Sequence, residues 1–239
     1  MEICINSDDP ENLRISVGAA YRGGADRIEL CSAMHLEGLT PSLNRIVEAR
    51  NTFPDRPGLL VMIRPRGGDF CYDNDEIDQM REQITMAADS GADGVVLAAL
   101  TRDGSVDETS LRKLVTHARN QSLKTTFHRA FDATTNRSNA LKCVIECGVD
   151  RILTAGVSWG KQGGAHDGIG TIKTAIAQAG SRIEIVLSGG ITPGNCGRLL
   201  EQLDETPGTC SIHAYSGVRT DGHTSRGKVR RLVEIARGK

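Results

Sequence analysis

Three heptapeptides in this 239-residue chain are versions of one another. Gly24-Ala25-Asp26-Arg27-Ile28-Glu29-Leu30 resembles Gly91-Ala92-Asp93-Gly94-Val95-Val96-Leu97, and both resemble Gly148-Val149-Asp150-Arg151-Ile152-Leu153-Thr154. They lie 67 and 57 residues apart, and a weaker copy, Gly208-Thr209-Cys210-Ser211-Ile212, follows 60 residues later. The Gly suits the left-handed residue that closes a helix, and the Asp suits the turn into a strand. β-like runs fall at 2–6, 27–31, 59–63, 94–98, 124–128, 151–154, 183–187 and 210–214, their starts 25 to 35 residues apart. Stretches of helical spacing lie between them, and Leu111, Leu114, Val115 and Ala118 form one such face. Eight strand–helix units, repeating in pairs, predict an α/β chain folded as a single (β/α)8 TIM barrel over residues 1–239. Convergent turn chemistry is the other source such a repeat can have. An open doubly wound sheet fits less well. Its first strand would lead into Gly-x-Gly-x-x-Gly, whereas this one leads into Asn6-Ser7-Asp8-Asp9-Pro10, so no nucleotide cofactor motif is present.

Thr40-Pro41 and Thr192-Pro193 read as helix starts, and Asp73 with Glu76 reads as a capping box. The Gly-rich stretch 160–168 reads as a mobile loop over one barrel end. Charge nearly cancels, 29 basic against 30 acidic residues, and only four Phe, three Tyr and one Trp occur. Neither a basic excess nor stacking rings are there to serve nucleic acid. No apolar run approaches the roughly 20 residues of a membrane helix, and no secretory signal is evident. Seven scattered Cys, with no Cys-x-x-Cys pair, suit a reducing cytoplasm better than a disulfide framework.

Side chains alternate across a strand, and the outer face of a barrel strand packs under helices. Ile3 and Ile5 therefore point out and Glu2, Cys4 and Asn6 in; Ile28 and Leu30 out, Glu29 and Cys31 in; Val61 and Ile63 out, Met62 and Arg64 in; Thr125 and Phe127 out, Thr126 and His128 in. Thr154, Ser188 and His213 are the inward residues expected from the later strands. Such an interior is unusually polar for a barrel. Either its charges satisfy one another, or they form a site at the C-terminal mouth. In Arg64-Pro65-Arg66-Gly67-Gly68-Asp69, two Arg forks and two Gly can clamp a carboxylate or phosphate. In His128-Arg129-Ala130-Phe131-Asp132, His128 is an acid–base candidate that Asp132 can orient. A plain loop ion pair is the competing reading of each segment. Gly189 and Gly190 end strand 7 where barrels often bind phosphate, though Gly also simply permits the turn. Cys4 and Cys31 fall on adjacent strands about 4.8 Å apart, where one soft metal ion such as Cu(I) can bridge two thiolates. Plain packing is the other role of buried Cys.

At these segments the sequence resembles the CutC family, named for copper homeostasis. The matching stretches are Gly23 through Cys31, Gly38-Leu39-Thr40-Pro41-Ser42, Met62 through Phe70, Phe127 through Asp132, Leu153-Thr154-Ala155-Gly156, Gly189-Gly190-Ile191 and the His213 strand. The resemblance implies a cytoplasmic (β/α)8 barrel, at least a homodimer, with a Cu(I) role and thiols matching Cys4 and Cys31 as ligands. Two features depart from the family pattern: Glu37-Gly38 replaces the usual Gly-Gly, and the 160–168 loop is longer. Two functions follow as expectations. One is Cu(I) binding by Cys4 and Cys31. The other is an enzyme or binder for a small anionic metabolite. There Arg64, Arg66 and Arg129 hold the anion, aided by Asp69, Thr154, Gly189 and Gly190; His128 and Glu29 act as acid and base, supported by Asp132 and His213. The sequence does not decide between enzyme and binder.

Overall fold

The computed structural model describes residues 1–238. Eight parallel strands close into a barrel in sequential order, the eighth pairing back on the first. They are β1 (Glu2–Asn6), β2 (Arg27–Cys31), β3 (Leu59–Met62), β4 (Gly94–Leu97), β5 (Lys124–Phe127), β6 (Arg151–Thr154), β7 (Glu184–Leu187) and β8 (Cys210–Ala214). Their ends differ from the expected ones by at most one residue. The helices between and after them are α1 (Pro10–Gly23), α2 (Leu43–Thr52), α3 (Asn74–Asp89), α4 (Glu108–Asn120), α5 (Arg137–Glu146), α6 (Ile169–Ala179), α7 (Cys196–Glu201) and α8 (Arg226–Ala236). A short antiparallel ribbon, β9 (Arg219–Thr220) with β10 (His223–Thr224), precedes α8. Its two-residue strands are too short to leave an alternating pattern.

The heptapeptide repeat has a physical cause. Gly24, Gly91 and Gly148 all take positive φ, between 80° and 89°, and close the preceding helix. The Asp two residues on then ties down the start of the previous strand. Asp26 accepts from the Met1 amino group at 2.8 Å, Asp93 from the Gly58 and Leu59 N–H groups, and Asp150 from the Thr125 N–H. One carboxylate thus satisfies donors at the edge of every second strand, which is why the motif recurs with a period of two units.

Asp73 and Glu76 do form the capping box at α3. Asp73→Ala is expected to cost about 1 kcal/mol, read as a lowered midpoint in urea denaturation. The two Thr-Pro helix starts are displaced. α2 begins at Leu43 and α7 at Cys196. The Thr40 hydroxyl is engaged elsewhere, accepting the Arg64 N–H at 2.8 Å and so holding the end of β3.

The outward strand faces, with Ile3, Ile5, Ile28, Leu30, Val61 and Ile63 fully or almost fully buried, pack under the helices in one continuous core. Inside the barrel the apolar cluster is small: Cys4, Cys31, Leu60, Met62 and Val96. The N-terminal end of the interior is filled by charge instead. Arg27 bonds Glu2 (3.0 Å), Glu184 (2.7 Å) and Ser211 (2.8 Å), and Arg151 bonds Thr126 (2.9 Å). Glu2 is wholly buried. Pairing makes Glu2, Arg27 and Glu184 tolerable there, whereas Arg151 has only the Thr126 hydroxyl and one terminal nitrogen without a partner among the described residues.

The C-terminal part of the 160–168 stretch is anchored to the barrel, while residues 160–163 are exposed. Ala165 is fully buried and donates to the Gly189 carbonyl at 3.0 Å. A side chain at Gly164 would meet that carbonyl oxygen at 2.4 Å. Glycine here lets two backbones touch.

Candidate functional site

Above the ionic layer, at the C-terminal strand ends, lies a cavity of about 230 Å³. One wall carries thiols. Parallel pairing sets Cys4 beside Glu29 and Asn6 beside Cys31. Cys4 and Cys31 are therefore diagonal neighbours facing in, with sulfurs 4.0 Å apart. His213 from β8 joins this group to the layer below. Its Nδ1 lies 2.8 Å from Glu2 Oε1 and its Nε2 3.6 Å from Glu29 Oε2. Cys4, Glu29 and Cys31 bring ligand-type atoms within 4.8 Å of one another, as do Glu2, Glu29 and His213.

These contacts set the charges. Burial opposes an ionised Glu2, but the hydrogen bond and charge of His213, with Arg27, hold its carboxyl at about 2. Burial alone would depress His213; Glu29, Cys4 and Glu2 outweigh it and hold the imidazole well above its usual range. Burial pushes Glu29 well up, helped by the charges of Cys4 and Glu2. The Cys31 thiol donates to Cys4, which, with His213 nearby, lowers Cys4 to about 5 against its burial. Cys31 rises correspondingly, because ionising it would remove that donor. These shifts favour ionisation at Cys4 over Cys31 and favour the protonated form of His213.

The opposite wall is aromatic and cationic. Phe70 lies centrally, with the His128 ring centroid 5.1 Å away, that of Trp159 5.2 Å away, and the Arg64 guanidinium 5.0 Å over its face. Arg64 is 1 % exposed and donates to the Leu36, Gly38 and Gly68 carbonyls. It has no carboxylate partner among the described residues. His128 Nδ1 accepts the Ala130 N–H at 3.0 Å. The neutral ring must then carry its proton on Nε2, which is buried and has no hydrogen-bond partner among the described residues. Burial, with the charge of Arg64, depresses His128 to about 3. It is a fixed neutral donor, not the acid–base group expected near neutrality.

Asp132 does not orient His128. The single turn after β5 carries it past the ring, where it accepts from Thr154 Oγ1 (2.5 Å), the Ala155 N–H (2.9 Å) and Arg129 Nε (2.9 Å). Thr154 does not line the cavity; Leu153 does. The β6 register sets Arg151 and Leu153 inward, so the expectation for Thr154 was out by one residue. Arg66 and Asp69 also lie outside. Arg66 pairs with Asp69 and Glu76 on the surface, where Asp69 is 68 % exposed. Chain exit from β3 after Arg64 turns the second Arg away. Gly189 and Gly190 pack on the 160–168 loop and do not line the cavity. Cys4, Glu29, Cys31, Arg64, His128, Arg129 and His213 are the expected residues brought together.

Met34, Trp159 and Tyr215 also line the cavity and were not singled out, and Glu37, marked in the sequence only as a departure from the family pattern, lines it too. Tyr215 follows His213 by two and shares its face, which alternation could have shown. The lone Trp of the chain had no periodic signal in its loop. Glu37 holds φ of 66°, a conformation glycine adopts without strain. Among the described residues, no helix is long and apolar enough to cross a membrane.

A model of the CutC family matches residues 1–218. A family protein CutC of Caulobacter vibrioides is 40 % identical over 203 residues, covering 84 % of this chain and 76 % of that one. The human copper homeostasis protein cutC homolog is 41 % identical over 216 residues, covering 90 % and 73 %. The solved structure of CutC from Streptococcus agalactiae superposes with a TM-score of 0.75 at 29 % identity, covering 89 % of this chain and 96 % of that one. Agreement of sequence and barrel over nearly the whole length places the chain in the CutC family.

Proposed function

We propose that this chain serves copper homeostasis by holding Cu(I) as cargo between Cys4 and Cys31. The observation that carries this reading is the pair of sulfurs 4.0 Å apart in the cavity wall, packed with Met62 and near Met34. Cu(I) is a soft ion, and thiolate is the ligand that selects it over hard cations. The Cys4 thiol is shifted toward its ionised form, which favours its use as a ligand. The name borne by the human relative agrees with this role. Anaerobic Cu(I) titration against a chromophoric competitor tests it. Cys4→Ser/Cys31→Ser is expected to bind roughly a hundredfold more weakly than the wild type. Equal affinity in the two proteins would remove the proposal.

A second reading, a binder or enzyme for a small anionic metabolite, is favoured by a separate observation. Arg64 is buried in the cavity wall facing no carboxylate, so that wall carries uncompensated positive charge. Buried charge normally has a partner, and an anion entering the mouth would supply one. A shift of thermal midpoint with small carboxylates or phosphate, lost in Arg64→Ala, tests this reading; no shift with any anion counts against it.

A further inference from the structure

Arg129 and His128 are adjacent in sequence but present two different donors to the cavity. The Arg129 guanidinium is fixed on two sides. Its Nε donates to Asp132, whose carboxylate is wholly buried, and its plane lies 5.1 Å over the Trp159 ring. The Trp159 backbone is itself held, its main-chain N–H donating to the Asp132 carbonyl at 3.0 Å. The two terminal nitrogens of Arg129 make no hydrogen bond to the described residues, and the side chain is 31 % exposed at the mouth. A planar fork with its other edge tethered matches a planar carboxylate end-on. Deeper in lies the His128 Nε2–H, on a residue 5 % exposed and without a partner. Such a buried donor is costly when left without an acceptor, so a ligand atom that accepts from it is strongly favoured. Between the two, the wall is Phe70, Trp159, Leu153 and Met62.

We propose that this side of the cavity binds a small monocarboxylate bearing a neutral acceptor oxygen in its body, an oxo acid being the simplest case. The proposal rests on the anionic-ligand reading above and names its ligand class. The carboxylate meets the Arg129 fork at the mouth, and the carbonyl oxygen accepts from His128 Nε2–H. The neutrality of His128 suits an uncharged acceptor better than a second anion. Phosphate fits poorly, because Gly189 and Gly190, the backbone turn that would cradle it, lie outside the cavity. The volume, about 230 Å³, lies below the roughly 300–1,000 Å³ of drug-sized sites and suits a ligand of a few carbons. Glu37, a carboxylate also lining the mouth, makes no ion pair with Arg129 among the described residues.

Calorimetric titration of the reduced, copper-free protein with 2-oxobutyrate, butyrate and inorganic phosphate tests the proposal. The oxo acid is expected to bind about tenfold tighter than butyrate, which lacks only the carbonyl oxygen. Arg129→Ala is expected to weaken both carboxylates about tenfold. His128→Asn, whose side-chain oxygen can still accept the Ala130 N–H, is expected to erase the difference between them. The comparison of the two acids on the wild type stands even if that variant fails to fold. Equal binding of the two acids, no effect of Arg129→Ala, or a preference for phosphate overturns the proposal but leaves the anion reading in place. No binding of any of the three overturns both.

Discussion

Glu2→Gln is expected to lower the unfolding free energy at neutral pH by about 3 kcal/mol and to flatten the acid limb of the stability profile. The Glu2 carboxyl ionises near 4.5 when unfolded and near 2 in the barrel. A depressed folded value stabilises above the unfolded one and is lost as pH falls from 4.5 toward 2. That difference corresponds to about 3 kcal/mol at roughly 1.4 kcal/mol per unit. The same size follows from structure, since removing one member of a buried ion pair costs about 3–5 kcal/mol. Glutamine keeps the shape but leaves His213 and Arg27 without the charge they flank. Urea denaturation of both proteins between pH 2 and 7 measures it. Parallel acid limbs in the two proteins would show that the carboxylate is not what the barrel interior depends on.

Asp132→Ala is the second large effect expected, again about 3 kcal/mol. Three donors converge on this one buried carboxylate: the Thr154 hydroxyl, the Ala155 N–H and Arg129 Nε. Each buried donor left unpaired costs about 1–3 kcal/mol, and Arg129, partly exposed, recovers its share from water. Asp69→Ala is the contrast. Asp69 is also an aspartate bonded to an arginine three residues away, but it is exposed, so its loss is worth under about 1 kcal/mol. Guanidinium denaturation of the two variants separates them. Similar losses in both would mean that Asp132 is no more structural than a surface residue.

That pair also marks where the sequence could be read and where it could not. Strand positions were legible because turn chemistry and apolar runs are local, and the Gly-x-Asp repeat announced its own period. Inward faces were legible wherever outward neighbours were apolar, as with Ile3, Ile5, Ile28 and Leu30 around Cys4, Glu29 and Cys31. β6 failed for the same reason in reverse. Leu153 is apolar yet faces the cavity, and Thr154 is polar yet does not line it, so polarity misassigned the face. The two arginines of the β3 loop are equivalent on paper. Only the point at which the chain leaves the strand makes Arg64 buried and Arg66 a surface residue. The ionic layer of Arg27, Glu184 and Arg151 was invisible as a unit, because its members come from three strands far apart in sequence.

His213 touches both the paired charges below and the thiol group above. The barrel therefore has two ends that tolerate change very differently. Met34, only partly buried on the turn after β2, can be exchanged to reshape what the mouth admits with little consequence for folding. Any attempt to retune the group around His213 alters the foundation in the same stroke. A designer seeking new ligand preferences in this scaffold has an adjustable rim and a fixed floor, and one imidazole belongs to both.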